Sequence, residues 1–217
     1  MRPYYQDAYV TIYHGDCRDI LSKLDVDALI TDPPYGVNYR QGHGEGRKPK
    51  WRKKHIDVAI YGDSEPFDPI PFLNYPIIIL FGANNFASKL PDSRGWIFWD
   101  KRPDIGSCDF GDGELIWTNL DRVVRGFRHR WSGVVRQSEN GEPVYHPTQK
   151  PMALMRWLIE YAGLPNLILD PFMGSGSTLR AAKDLGRKAI GIEIEEKYCE
   201  IAAKRMAQEV LDFRPTH

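Results

Sequence analysis

Two short apolar runs in this chain stop at the same dipeptide. Asp27-Ala-Leu-Ile-Thr31 runs into Asp32-Pro33-Pro34, and Leu167-Ile-Leu169 runs into Asp170-Pro171. Proline has no N–H to give a β-ladder, so each run reads as a strand that ends there with a carboxylate at its carboxyl end. Neither run alternates apolar with polar, which is the pattern of a strand covered on both faces. Ile77–Phe81 reads the same way, and Tyr9–Tyr13, Trp96–Trp99, Leu115–Trp117 and Ala189–Ile194 supply further strands. Pro151–Ala162, the stretch from the Gly/Ser segment to Leu185, and Glu195 to about Asp212 read as helices, the first two stopped by Gly163 and Gly186. Strands and helices alternating in this way specify an α/β fold with a mostly parallel sheet. Ligands of such sheets sit beyond the carboxyl ends of the strands, where both Asp-Pro pairs lie.

At 217 residues the chain makes one domain, 1–217, with room for a small insertion. Cys17, Cys108 and Cys199 are far apart, with no CxxC pair and no histidine at zinc spacing. That excludes a disulfide framework and a zinc deaminase, predicts no metal site, and fits reduced thiols in the cytoplasm. No N-terminal stretch reads as a signal peptide, and Ile77–Phe81 is too short to span a bilayer, so no membrane partner is expected.

Asp170-Pro-Phe-Met-Gly174-Ser-Gly176-Ser-Thr178 lies between a strand and a helix. Its glycines allow a tight turn and close approach to a ligand, and the helix start offers free N–H groups. Glu193 ends the next strand, about 20 residues on, where a carboxylate can accept both hydroxyls of a bound ribose. A nicotinamide dinucleotide would need a third glycine where Leu179 stands, and Asp170 would repel its pyrophosphate. S-adenosylmethionine carries no phosphate, and its ammonium and sulfonium suit an acid, so it is the favoured cofactor.

The tetrapeptide Asp32-Pro33-Pro34-Tyr35 suits transfer to an aromatic amine. Such an amine is a poor nucleophile, because its lone pair is delocalised into the ring. Asp32 and a proline carbonyl can accept its hydrogens so that the nitrogen pyramidalises, and Tyr35 offers a face for an extruded base. A hydrogen bond to a charged acceptor is worth about 1.5–3 kcal/mol, whereas alignment for transfer supplies roughly 7–11 kcal/mol. Positioning therefore dominates.

Taken together, DPPYG at 32–36, HPTQKP at 146–151, DPFMGSGST at 170–178 and GIEIEEKYCEIAAKRM at 191–206 resemble the β-class, circularly permuted amino-methyltransferases of DNA. The resemblance implies a Rossmann-like seven-stranded sheet with helices on both faces and the catalytic tetrapeptide ahead of the cofactor loop. It implies cofactor contacts from Asp16 and Cys17 near the adenine, and from Glu193 and Ile194 at the ribose. Around the methionine moiety it implies Asp32, Thr148, Gln149, Lys150, Asp170, Pro171, Phe172, Gly174, Ser175, Gly176, Ser177 and Thr178. His146, before a proline, is expected to be structural. Ser177 replaces the threonine more usual in the family and keeps the hydroxyl.

Net charge is zero, but residues 40–55 hold seven Lys/Arg against one acid, and residues 122–136 hold five Arg and no acid. Such segments neutralise phosphates, and interleaved aromatics can wedge where a base has left the stack. Residues 38–57 are therefore expected to form a DNA-contacting loop carrying Arg40, Lys50, Arg52, Lys53 and Lys54. Residues 122–146 are expected to form a short recognition insertion carrying Arg122, Arg125, Arg128 and Arg130, with Phe127 and Trp131 beside the bases. The expected activity is methylation of adenine N6 in DNA, because Asp at the first position of the tetrapeptide is the more typical of adenine enzymes in the family. Cytosine N4 is the alternative. An NAD-dependent oxidoreductase and a silent DNA-binding module are the readings from other classes, and RNA or protein glutamine are further substrates. The resemblance also admits a homodimer, a restriction endonuclease partner, and a bacterial, archaeal or phage source.

Overall fold

In the computed structural model, which describes residues 2–38, 60–104, 111–132 and 135–208, the two runs that end in Asp-Pro lie side by side. They are β3 (Ala28–Thr31) and β10 (Leu167–Asp170), parallel neighbours with Ile168 opposite Ala28 and Leu169 opposite Leu29. The other strands are β1 (Tyr5–Gln6), β2 (Val10–His14), β4 (Ile77–Phe81), β5 (Trp96–Asp100), β6 (Gly113–Thr118), β7 (Arg125–Arg128), β8 (Trp131–Ser132), β9 (Val135–Arg136) and β11 (Lys188–Glu193). The α-helices are α1 (Met152–Tyr161), α2 (Ser177–Asp184) and α3 (Glu196–Ala207).

The sheet order is β1-β2-β11-β10-β3-β4-β6-β5-β7. Its seven central strands are the expected ones. The five from β2 to β4 are mutually parallel, and β6 runs antiparallel between β4 and β5. The all-buried runs occupy the middle, as their lack of alternation requires. Strand β1 and strand β7 extend the edges. The segment after Arg122 reads as irregular in sequence, because Arg125-Gly-Phe-Arg128 has no apolar alternation. It nonetheless pairs with β5, from Ile97 opposite Arg125 to Asp100 opposite Arg128. Backbone hydrogen bonding at an exposed edge needs no apolar pattern.

The three α-helices among the described residues pack on one face of the sheet. Leu154, Leu158, Leu179, Ala182, Cys199 and Ala202 are fully buried there against Ile12, Ile30, Ile79 and Ile97. Full burial of a leucine is worth roughly 1.5–3 kcal/mol, so this layer anchors the helices that carry the site. The opposite face, with Leu29, Ile78, Leu80, Leu169 and Ile192, is covered by short 3-10 helices such as Cys17–Asp19, Leu21–Lys23 and Ile70–Phe72. Helix α1 follows Pro151, which has no capping side chain, and the distant Glu139 Oε1 accepts the Met152 N–H at 2.7 Å instead. Among the described residues no helix is long and apolar enough to cross a membrane.

Candidate active site

The sheet order sets the carboxyl ends of β2, β11, β10 and β3 in a row, so the four segments that follow them converge. Glu193 lies opposite His14, and its carbonyl accepts the Gly15 N–H at 2.9 Å, which brings Asp16 alongside. The Glu193 carboxylate accepts the Gly174 N–H at 3.0 Å and the Glu195 N–H at 2.8 Å. Burial pushes its pKa up, and those N–H groups oppose the shift. Gly174 and Gly176 adopt φ of 50° and 79°, which side chains resist, so glycine is required for this turn into α2. The hydroxyl of Ser177 at the start of α2 is buried with no hydrogen-bond partner among the described residues.

Several expected contact residues turn inward. Asp170 accepts from Thr31 Oγ1 at 2.7 Å and Thr178 Oγ1 at 2.5 Å, joining the ends of β3 and α2. Burial pushes its pKa to about 6 against those hydrogen bonds. Buried Ser175 is held by the Arg205 guanidinium, which reaches its carbonyl at 2.5 Å. Gln149 Oε1 accepts from the Tyr145 N–H at 3.0 Å and lies 3.4 Å from Ser175 Oγ, linking the 145–150 turn to the glycine loop. Phe172 packs on Phe67 and Phe72, and the Pro171 ring is buried. Cys17 is buried and its thiol is pushed up to about 12, chiefly by desolvation. Asp16 is chelated by its neighbour Arg18 at 2.5 Å, and the Ile194 carbonyl lies 3.1 Å from His14 Nε2.

His146 packs inward. Its ring sits edge-on to Tyr198, with centroids 4.4 Å apart, and against Gly174. Burial, then Lys150 and Lys197, lower its pKa to about 4, so it is neutral at physiological pH. The Thr148 hydroxyl lies 3.1 Å from His146 Nδ1.

Asp32 stands just past β3, with Pro33 buried behind it. Tyr35 Oη donates to Asp32 Oδ1, and Lys150 Nζ lies 2.5 Å from Asp32 Oδ2. Lys150 is thus aimed at Asp32 and not at the glycine loop. Its ammonium also lies 5.1 Å over the Phe81 ring and 3.3 Å from Glu114 Oε2. Burial raises the Asp32 pKa above the ordinary carboxylate range; Lys150 opposes that and Glu114 adds to it. Burial acts to lower the Lys150 pKa but is outweighed by Asp32 and Glu114, so it stays raised. Burial, then the Asp32 charge, holds the Tyr35 phenol well above its usual value.

Sequence reasoning missed four residues here. Gly82, at φ 61° after β4, leaves room for the Tyr35 ring, which a Cβ would meet at 2.1 Å. A glycine directly after an apolar strand was the available signal. Asp63 Oδ1 accepts the Gly36 N–H at 2.8 Å and anchors the turn after the tetrapeptide. Glu114 and its partner Lys101 emerge only from the pairing of β5 with β6, for which the sequence carries no sign.

Of the basic residues, Arg40, Lys50, Arg52, Lys53 and Lys54 lie outside the described residues. Arg122 donates to the Tyr161 carbonyl and covers the Tyr161 ring at the end of α1. Arg130 pairs with Asp104 at 2.7 Å. Arg125 and Arg128 point outward. Phe127 and Trp131 are half-buried: Phe127 packs on Trp157, and the Trp131 indole donates to the Gln149 carbonyl at 3.0 Å. Both rings pack against the edge of the core beneath the helices.

Solved DNA methyltransferases share this fold. The PvuII DNA methyltransferase, described as cytosine-N4-specific, superposes with a TM-score of 0.64 at 15% identity, covering 97% of this chain and 91% of its own. The M1.HpyAVI–SAM complex gives 0.55 at 23% identity over 92% and 100%. In sequence, the chain is 42% identical to the type II methyltransferase M2.DpnII of Streptococcus pneumoniae, covering 96% of this chain and 93% of the relative. It is 37% identical to M2.LlaDCHI of Lactococcus lactis subsp. cremoris, over 94% and 92%. The DNA methylase profile of the N6/N4 family matches residues 112–204. The chain belongs to this N6/N4 DNA methylase family, and it is an S-adenosylmethionine-dependent DNA methyltransferase.

Proposed function

We propose that the enzyme methylates the exocyclic N6 of adenine in DNA, with Asp32, Pro33, Pro34 and Tyr35 receiving the flipped base. The observation that supports this most directly is the adjacency of β3 and β10, which sets an amine acceptor beside the glycine turn and Glu193. The cradle fits S-adenosylmethionine: a carboxylate for ribose hydroxyls, a buried Ser177 hydroxyl without a hydrogen-bond partner among the described residues, and backbone N–H groups opening α2. When bound, that cofactor supplies an electrophilic methyl group on a sulfonium. Glu193 and the 174–178 turn hold it; Asp16 and the 148–149 turn border it. Asp32 accepts hydrogen bonds from the amine as its nitrogen pyramidalises, and Tyr35, held by Gly82, carries the base ring. Asp at position 32 favours adenine over cytosine N4. The reading also places the enzyme in the cytoplasm with host DNA and, from the type II names of its relatives, beside a restriction endonuclease.

The test is to incubate the purified protein with S-adenosylmethionine and unmethylated plasmid and to analyse the digested nucleosides by mass spectrometry. N6-methyldeoxyadenosine is expected. N4-methyldeoxycytidine would replace the base assignment, and no methylated nucleoside would overturn the reading. Glu193→Ala should weaken S-adenosylhomocysteine binding by roughly tenfold or more, as loss of hydrogen bonds to a charged acceptor implies. Unchanged affinity by calorimetry would show that the ribose is held elsewhere.

A further inference from the structure

Glu114 has no part in the reaction as described, yet it is a largely buried acid that shares the Lys150 ammonium with Asp32. It is the second residue of β6, opposite Trp99, and the central β4 separates it from β3. Lys150 reaches across β4 over the Phe81 ring, with its ammonium 2.5 Å from Asp32 Oδ2 and 3.3 Å from Glu114 Oε2. Glu114 Oε1 accepts from Lys101, but Oε2 is buried and makes no aligned hydrogen bond. Both Asp32 oxygens are engaged, by Tyr35 and by Lys150. An arriving amine must donate to Asp32, and an ammonium already there is a competing donor.

We propose that Glu114 is a second seat for Lys150: as the target base enters, the ammonium moves from Asp32 Oδ2 to Glu114 Oε2 and leaves Asp32 free to accept from the amine. This rests on Asp32 being the amine's acceptor. The move is short, since one ammonium already lies within ion-pairing distance of both acids. It also conserves charge. Asp32 and Glu114 balance Lys150 and Lys101, so passing the ammonium between the acids leaves a neutral cluster. Expelling it to solvent would leave two buried carboxylates with one cation, which burial penalises heavily. Among the described residues, the other ionisable groups facing the cluster are Tyr35 and Asp170 beside Asp32, Asp63 towards Tyr35, and His146 towards Lys150. Glu114 and Lys150 are positioning residues on this view, acting through Asp32.

The test compares wild type with Glu114→Gln and Glu114→Asp in single-turnover methylation of unmethylated plasmid across about pH 5.5 to 9. S-adenosylhomocysteine affinity is measured alongside. Glu114→Gln keeps the shape and removes the charge. It should bind S-adenosylhomocysteine within about twofold of wild type and transfer methyl roughly tenfold or more slowly, because the ammonium then stays on Asp32. The acid limb of its rate profile should move to lower pH, because a negative neighbour of Asp32 is gone. Glu114→Asp, which retains a carboxylate, should recover part of the rate and of the limb. A scaffolding role would slow the enzyme without moving the limb. Glu114→Gln turning over at more than about a third of the wild-type rate, or with an unmoved limb, would overturn the proposal. Should Glu114→Gln fail to bind S-adenosylhomocysteine, Glu114→Gln with Lys101→Met, which removes one charge of each sign, must show the same loss and shift. An inactive wild type would overturn the proposed function itself, whereas an active wild type with an indifferent Glu114→Gln overturns this inference alone.

Discussion

Asp32 is asked to be an anion in a place that disfavours anions. Burial raises its pKa, and the Lys150 ammonium is the chief force in the other direction. Because an ionised carboxylate is a much stronger acceptor for the amine than a protonated one, methyl transfer should fall as pH drops through this raised value. The acid limb of kcat/KM therefore lies above the ordinary carboxylate value of about 3.9. Lys150→Met removes the opposing charge, so the limb should move further up. A limb unmoved in Lys150→Met would show that another group titrates. Asp32→Ala should leave S-adenosylhomocysteine affinity near wild type while the rate drops below about a tenth, a barrier rise of at least 1.4 kcal/mol. Retention of more than that would remove Asp32 from the chemistry.

At the scale of elements, what the sequence made legible was whatever is written in contiguous residues. The strand ends at Asp32 and Asp170, the glycine turn and Glu193 were all readable, because proline, glycine and apolar runs act locally. What was not legible depends on register. Glu114 faces Lys150 only because β6 runs antiparallel beside β4. Phe127 and Trp131 looked like base-stacking rings because their neighbours are arginines, yet tertiary packing against α1 and the 145–150 turn claims both. Asp170 is similar: a loop acid in sequence, it is a buried tie between Thr31 of β3 and Thr178 of α2 in the fold. Its folded pKa, near 6, lies above the unfolded value. Below about pH 4 both states bind the proton, and above about 6 the folded state carries a charge it disfavours. Stability contributed by this group is therefore lost as pH rises from 4 to 6, by on the order of 3 kcal/mol. Asn at this position cannot titrate. Urea unfolding of wild type and Asp170→Asn at several pH values should show wild type gaining relative to the variant as pH falls through this window. A pH-independent difference would contradict the raised pKa.

For the molecule as a whole, neutrality conceals polarity of charge. The net charge is zero, yet residues 40–55 carry seven cations against one acid. If those cations meet phosphates, log K for DNA falls with log salt at about 0.9 per phosphate neutralised. Replacing Lys50, Arg52, Lys53 and Lys54 together by Ala should flatten that slope by roughly two to four units. Phosphate contacts position without specifying, so the methylated sequence should not change. The arginines after residue 122 divide by their place on β7. Arg122 is committed to the Tyr161 carbonyl, and Arg125 pairs with Ile97 at the start of the strand. Arg128 pairs with Asp100, which in turn lies opposite Gly113, next to Glu114 and the carboxyl edge of the sheet. At about 3.3 Å per residue, Arg125 stands roughly 10 Å further from that edge. Arg128 is therefore the better placed to reach a base edge beside the flipped nucleotide, worth about 1–3 kcal/mol of discrimination if the contact is bidentate. Arg128→Ala should relax or shift the methylated site, read by sequencing of modified bases, with little change in salt slope. Arg125→Ala should leave the site as it is. Were Arg125→Ala to shift the site and Arg128→Ala to change only the salt slope, the DNA would have to lie along the length of β7 and not across its end.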